Sequence, residues 1–140
     1  MTVPSTTLTA LKAAGAAALE KQAENILAVD VAERMGLTDA FLIASAPSER
    51  QVNAIVDEIE DVLREDHDLK PLRREGRAEG RWVLLDFGHF VVHVQHDEER
   101  AFYALDRLWK DSPLIDLGLP QSAPSEADQD GAAGQDSAQA

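Results

Sequence analysis

The chain of 140 residues contains no cysteine. Disulfide bonds, thiol catalysis and thiolate metal sites are therefore excluded. Long apolar runs are also missing, since none approaches the roughly 20 residues that a membrane-spanning helix requires, and the first residues do not form a signal-peptide pattern. We therefore expect a soluble, cytoplasmic protein with no membrane partner.

Basic residues are scarce. Lysine and arginine number 13 against 26 aspartate and glutamate residues, which gives a net charge of −13. This balance argues against direct, sequence-specific binding of nucleic acid, because phosphate contacts require clusters of lysine and arginine. An acidic protein suits a basic partner instead, and the proteins that coat nucleic acid in a cell are basic.

The last twenty residues have no aliphatic side chain larger than alanine, and they carry four acidic residues and no basic one. Such a segment cannot bury enough apolar surface to offset its chain entropy. We therefore predict one folded domain over residues 1–120, with its core from about residue 5, and an acidic disordered tail over residues 121–140.

Hydrophobic periodicity predicts the helices. Thr6 or Thr7 can cap a first helix that runs to about Lys21, and Ser48 with Gln51 forms a capping box for a second. The second helix has apolar residues at helical spacing, namely Val52, Ile55, Val56, Ile59, Val62 and Leu63. A third helix is predicted from Asp97, whose side chain can cap it, to about residue 110.

Strand patterns lie between these helices. Strands are predicted over residues 25–31, 40–46, 71–75, 82–87 and 90–95, with a turn over residues 32–39 and a basic, glycine-interrupted loop over residues 73–81. The run 40–46 is apolar throughout, which is typical of a strand that is covered on both faces. The alternation of elements predicts a compact α/β domain with a central mixed β-sheet and packed helices.

The last two strands form a predicted β-hairpin. Gly88 and His89 connect them, and glycine suits the primed turns of such hairpins because it adopts positive φ without steric cost. This turn sets Phe87 opposite Phe90, Leu85 opposite Val92, and Val83 opposite Val94. Since all six are apolar and share one face, that face is predicted to be core.

The other face of the hairpin is mixed. Trp82, Leu84 and Asp86 lie opposite Gln95, His93 and Val91. A tryptophan with aliphatic neighbours and a polar surround is typical of a binding hot spot. The alternative, that a helix covers this face and Trp82 is packed at the core, remains open from the pattern alone.

Catalytic chemistry has weak support. His93 and His96 point to opposite faces of a strand, so they cannot bind one metal ion. Ser45 and Ser48 lie where a strand meets a helix, a common ligand position, but the segment has no glycine to wrap a phosphate, and Ser48 is explained as a helix cap. The acidic clusters at residues 57–61 and 97–99 are best read as a solvated helix face and as a complement to a helix dipole. We therefore predict no catalytic residues, no metal and no cofactor.

Two segments resemble the ribosomal silencing factor S family, also called the Iojap family. They are DAFLIASAPSERQVNAIVDEIED at residues 39–61 and EGRWVLLDFGHFVVHVQHDEERAFYALDRLWKDSP at residues 79–113. The resemblance covers about residues 5–117. Its most specific parts are the Trp-Val-Leu-Leu-Asp-Phe-Gly hairpin, the Val-His-Val strand and the Phe-Tyr helix that ends before a proline.

The resemblance implies a translational repressor and not an enzyme. Members of this family bind the large ribosomal subunit through a ribosomal protein on its intersubunit face, and thereby block joining of the small subunit. Their fold is similar to that of nucleotidyltransferases without the catalytic site, and this chain lacks the Gly-Ser and Asp-x-Asp motifs. The expected partner is thus a basic intersubunit-face ribosomal protein.

The candidate partner-binding residues are Trp82, Leu84, Asp86, Val91 and His93, with Arg100 and Tyr103 on the outer side of the last helix as further candidates beside the basic loop. Two other functions stay open. One is a nucleotide-binding or nucleotidyltransferase-like enzyme that uses the strand ends near Ser45 and Ser48. The other is an adaptor that forms a homodimer through the hairpin face.

Overall fold

The computed structural model describes residues 3–36, 38–103, 107 and 109–120. The elements in chain order are α1 (Ser5–Glu20), β1 (Glu24–Asp30), α2 (Ala32–Met35), β2 (Ala40–Ala46), α3 (Glu49–His67), β3 (Arg73–Glu75), β4 (Trp82–Asp86), β5 (Phe90–His96) and α4 (Asp97–Tyr103). The predicted tail lies outside the described residues and stays a prediction. No helix in the described ranges is long and apolar enough to cross a membrane.

The five strands form one sheet in the order β1-β2-β5-β4-β3. Strands β2 and β5 pair in parallel, and all other neighbours are antiparallel. The prediction of an α/β domain with a central mixed sheet is therefore confirmed. Strand β2 is buried along its whole length, as its apolar sequence predicts, because it is central and covered on both faces.

The first face of the sheet packs against α1 and α3 and forms the main core. Leu42 of β2 and Leu85 and Val92 of the hairpin belong to this core, together with Leu11 of α1 and Ile55 of α3. Because side chains alternate along a strand, this packing directs the intervening hairpin residues to the opposite, second face.

The hairpin has the predicted register. Val83 pairs with Val94 and Leu85 with Val92, and the Phe87 N–H donates to the Phe90 carbonyl at 3.0 Å. Gly88 has a φ of 90°, a value that favours glycine.

Some local predictions are wrong. Helix α1 begins at Ser5 after Pro4 with no side-chain cap, so neither Thr6 nor Thr7 caps it. The predicted turn after β1 contains the short helix α2, which ends at Gly36 in the left-handed conformation. Of the last helix, predicted to run to about residue 110, the structure describes residues 97–103 as helical, Arg107 is also helical, and residues 109–111 form a turn.

The caps of α3 and α4 differ from the predicted ones in part. Ser48 accepts the Gln51 N–H at 3.1 Å, as predicted, but the Gln51 amide donates to the carbonyls of Lys21 and Gln22 at the end of α1. At α4, His96 Nδ1 accepts the Glu98 N–H at 3.1 Å, so the cap is His96 and not Asp97. Asp97 is instead the first residue of the helix.

Candidate functional site

The second face of the sheet is half covered. Its β1–β2 half is a small core of Val29, Val31, Phe41 and Ile43, which are all buried. Trp109 packs edge-on against Phe41 with 5.3 Å between the ring centroids. Trp109 therefore covers part of the β1–β2 half, which lies beside the hairpin on this face.

The hairpin half of the same face is more open. Trp82, Leu84, Asp86 and Val91 are all partly exposed, and we call these four residues the Trp82 patch. Three are apolar and the fourth is a carboxylate. The structure thus places four of the predicted site residues together on one partly exposed surface.

Trp82 is held in a defined orientation. Its indole Nε1 donates to Nδ1 of His93 at 3.1 Å, and its ring packs against the small core of the second face. A fixed aromatic side chain loses little conformational entropy when a partner binds, which favours its use as an anchor.

His93 is a support of the patch and not one of its surface residues. It is 5 % exposed, and its ring contacts Phe41 at 4.8 Å between centroids. The expectation that His93 is an exposed polar contact is therefore wrong, because Phe41 and Trp82 enclose it. Burial lowers the pKa of His93 from 6.5 to about 4, so the ring is neutral at neutral pH and can accept from Trp82.

Asp86 is the polar member of the patch. One carboxylate oxygen accepts the Gly88 N–H at 2.8 Å, and the other lies 3.7 Å from the Arg73 guanidinium. The side chain keeps 26 % of its surface exposed. Asp86 therefore stabilises the hairpin turn and also presents a negative charge at the edge of the patch.

Gln95 is a residue of this face that the sequence reasoning did not single out. It is 0 % exposed, and neither amide atom has a hydrogen-bond partner among the described residues. It lies between Ser45 of β2 and Trp82 of β4 in the sheet. The sequence did not predict that Gln95 is buried, because a glutamine at a strand end is usually solvated.

The two further candidates on α4 have different outcomes. The Arg100 guanidinium donates to Ser45 Oγ at 3.3 Å, so Arg100 is directed toward the end of β2 and not outward as expected. Tyr103 ends the described helix, and its side chain lies outside the described residues.

The basic loop is bound to the acidic face of α3. Arg74 binds Glu60 at 2.9 Å, Arg77 pairs with Asp57, and Arg81 contacts Glu49 at 3.3 Å. The sequence suggested that the acidic face of α3 is only solvated. The structure shows instead that some of its carboxylates pair with arginines of the loop. The sequence contained a signal for this pairing, because the loop carries arginines and α3 carries carboxylates, each at intervals of three to eight residues.

Arg81 also joins α4 to this network. Its Nη2 lies 2.9 Å from carboxylate oxygens of both Glu98 and Glu99. Glu98, with Glu99 and Glu49, raises the pKa of Arg81, while Arg81 lowers the pKa of Glu98. The arginines of the loop thus serve the fold, which leaves the Trp82 patch as the best candidate surface.

The strand ends near Ser45 offer little room for a ligand. Ser45 is 1 % exposed and donates to the Glu24 carbonyl at 3.2 Å, while Ser48 caps α3. Within the described ranges, no group of three or more His, Cys, Asp or Glu residues is arranged to hold a metal ion.

Comparisons with known proteins identify the family. The family model described as ribosomal silencing factor during starvation, RsfS, matches residues 4–140. This chain belongs to the RsfS family. It is 47 % identical over 107 residues to the ribosomal silencing factor RsfS of Bacillus subtilis, a match that covers 76 % of this chain and 90 % of that one. The resemblance inferred from the hairpin and helix motifs is thereby confirmed.

Two further similarities extend this result. A crystal structure from Bacillus halodurans superposes with a TM-score of 0.66 at 40 % identity, covering 76 % of this chain and 95 % of that one. The mouse protein named mitochondrial assembly of ribosomal large subunit protein 1 is 32 % identical over 95 residues, 64 % of this chain and 40 % of that one. Membership of the RsfS family indicates a role in ribosome silencing and the regulation of translation.

Proposed function

We propose that this RsfS-family protein silences ribosomes by binding the large subunit through the Trp82 patch. The proposed contact is a basic ribosomal protein on the intersubunit face. The name of the mouse relative refers to the large ribosomal subunit, which supports the choice of subunit. The proposal places the protein in the cytoplasm and gives it no enzymatic activity.

The observation that carries the proposal is the patch itself. Trp82, Leu84 and Val91 form a partly exposed apolar surface on rigid strands, and His93 fixes the indole by accepting its N–H. Buried aromatic anchors with aliphatic neighbours contribute most of the binding energy in many interfaces. Specificity would therefore come from these side chains.

Charge supports a basic partner. The net charge is −13, and Asp86 borders the apolar surface with a partly exposed carboxylate. Complementary charge accelerates association more than it raises affinity, and salt weakens this effect. Binding to a basic ribosomal protein should therefore slow as the salt concentration rises.

The proposed mechanism is steric. The bound domain occupies space that the small subunit needs, so the two subunits do not join while it remains in place. No covalent bond forms or breaks, and the buried state of Ser45 gives no support to the rival function as a nucleotide-binding enzyme.

Co-sedimentation with purified large and small subunits tests this function. The protein should pellet with large subunits and remain in solution with small ones. Leu84→Ala should weaken binding by about tenfold or more, which corresponds to about 1.4 kcal/mol. Leu84 is a better probe than Trp82, because truncating Trp82 would also remove the donor to His93 and perturb the fold.

Leu72→Ala is the matched control. Leu72 is 73 % exposed and lies two residues from Arg74, which binds Glu60 of α3 on the first face. The Leu72→Ala variant should bind large subunits as the unmodified protein does. Equal pelleting with both subunits, or equal losses in the two variants, would contradict the proposal. A stable dimer by size exclusion that dissociates in Leu84→Ala would favour the adaptor function instead.

A further inference from the structure

The edge strand β3 extends the Trp82 patch toward one side of the sheet. Arg73 pairs with Asp86, and Glu75 pairs with Leu84, in the antiparallel ladder between β3 and β4. Residues that lie opposite each other in such a ladder point to the same side of the sheet, with their Cβ atoms about 5 Å apart. Arg73 and Glu75 therefore lie on the second face, directly beside two members of the patch. We call Arg73, Glu75 and Asp86 the charged rim.

Arg73 differs from the other arginines of the basic loop. Those three all donate hydrogen bonds to carboxylates of α3, namely Arg74, Arg77 and Arg81. Arg73 instead lies 3.4 Å from a carboxylate oxygen of Glu75 and 3.7 Å from one of Asp86, which are long distances for charge-assisted hydrogen bonds. Its side chain is 64 % exposed. Because exposed ion pairs contribute little free energy, another cation can replace Arg73 at small cost.

The charged rim has one more negative than positive charge. Asp86 Oδ1 accepts the Gly88 N–H, while Oδ2 faces Arg73. The Glu75 side chain is 60 % exposed, and a carboxylate can accept several hydrogen bonds at once. One guanidinium shared by two carboxylates therefore leaves acceptor positions for a second basic group.

The rim lies beside the apolar centre of the patch. Glu75 is opposite Leu84, which lies between Trp82 and Asp86 on the second face of β4. Interfaces commonly have a buried centre bordered by a polar, solvent-accessible rim. Charges in such a rim fix the register of the partner and set the association rate more than the affinity. A basic side chain that reaches Glu75 would thus fix the position of the partner over Leu84.

We propose that Glu75 and Asp86 receive one lysine or arginine side chain of the basic partner, and that Arg73 occupies their carboxylates until the partner binds. This inference rests on the proposed function, since the partner is the one that binds the Trp82 patch. The net charge of −13 attracts basic proteins in general. The charged rim selects among them, because it requires a basic group at a fixed distance from the apolar contacts.

The rate at which the full chain associates with purified large subunits tests this inference. The chain is labelled at its N-terminus, and binding is followed by fluorescence anisotropy at about 50 mM and about 500 mM salt. Glu75→Gln removes the charge but keeps the side-chain shape, so it should slow association about threefold at the lower salt concentration. Arg73→Gln removes the competing guanidinium and should accelerate association about twofold. Both differences should largely vanish at the higher salt concentration, because ions screen exposed charges.

Glu65→Gln is the matched control. Glu65 lies on α3, which packs against the first face, and its side chain is 67 % exposed. It pairs with Arg64 at 3.2 Å, so this substitution also removes one exposed, paired carboxylate and changes the net charge by the same amount. The Glu65→Gln variant should associate nearly as fast as the unmodified chain. All three variants should keep the melting temperature of the unmodified chain, because exposed ion pairs add little stability.

Two results would overturn the inference while the proposed function stands. Equal rates for Glu75→Gln and Glu65→Gln would show that only the net charge matters. An unchanged rate for Arg73→Gln would show that Arg73 does not compete with the partner, and a slower rate would show that it contacts an acidic group, such as a phosphate of ribosomal RNA. In these cases Leu84→Ala would still lose binding. Failure of the unmodified chain to bind large subunits would overturn both proposals.

Discussion

Acidification should destabilise this protein through His93. Burial lowers the pKa of His93 from 6.5 to about 4, so the folded state disfavours the protonated ring. Well above pH 6.5 the ring is neutral in both states, and the full stability is present. As the pH falls from about 6.5 to about 4, the unfolded state binds a proton that the folded state does not, and stability is lost.

The size of this effect follows from the shift. A pKa difference of this size corresponds to about 3 kcal/mol once the pH lies below both values, and to about 2 kcal/mol near pH 5. For a small domain, about 2 kcal/mol is a large part of the free energy of unfolding. Protonation also removes the acceptor for the indole N–H of Trp82, so the patch should lose its fixed anchor as the domain loses stability.

Urea unfolding monitored by tryptophan fluorescence measures the effect, at about pH 7.5 and about pH 5. The control is His93→Asn, whose side-chain oxygen can still accept from Trp82 but does not titrate. The carboxylates titrate equally in both proteins, so the difference between the two pH dependences isolates His93. If both proteins lose the same stability on acidification, then His93 is not the buried, neutral group described here.

Three further predictions concern the fold. Gly76→Ala should lower the free energy of unfolding, measured with urea, by about 2 kcal/mol more than Gly36→Ala. A Cβ at Gly76 would meet the Trp82 carbonyl, whereas a Cβ at Gly36 would meet nothing within 4 Å. Equal losses would show that only the positive φ matters. Ser48→Ala should cost about 1 kcal/mol by removing the α3 cap, and a smaller loss than a few tenths would contradict that role. Truncation after Pro120 should change neither the melting temperature by more than a few degrees nor subunit binding.

Local patterns in the sequence predicted the hairpin and the sheet well. Alternation of period two fixes which residues share a face, and a two-residue turn containing Gly88 fixes the register. The apolar run of β2 and the helical spacing in α3 are equally local signals. Their physical causes act between neighbours in the chain, so a single sequence is sufficient to detect them.

Contacts between distant segments were not predicted. His93 is buried because Phe41 of β2 and Trp82 of β4 enclose its ring, and neither contact follows from the strand in which His93 lies. Likewise, Arg81 binds Glu49 of α3 and Glu98 of α4, two helices that lie far apart in the sequence. Such contacts depend on how elements pack, and packing is not encoded in local periodicity.

The candidate surface was therefore predicted in part. Trp82, Leu84, Asp86 and Val91 lie together and are partly exposed, as the alternation of the hairpin suggested. The covered half of the same face, closed by Trp109, could not be inferred from the hairpin alone.

The most direct test is an order-of-addition experiment on subunit joining, followed by sucrose-gradient sedimentation. Added to large subunits before small ones, the protein should reduce the peak of joined ribosomes in proportion to its concentration. Leu84→Ala should require about tenfold more protein for the same reduction, while Leu72→Ala should match the unmodified chain. An unchanged peak of joined ribosomes, or equal inhibition by Leu84→Ala, would contradict steric silencing through the Trp82 patch.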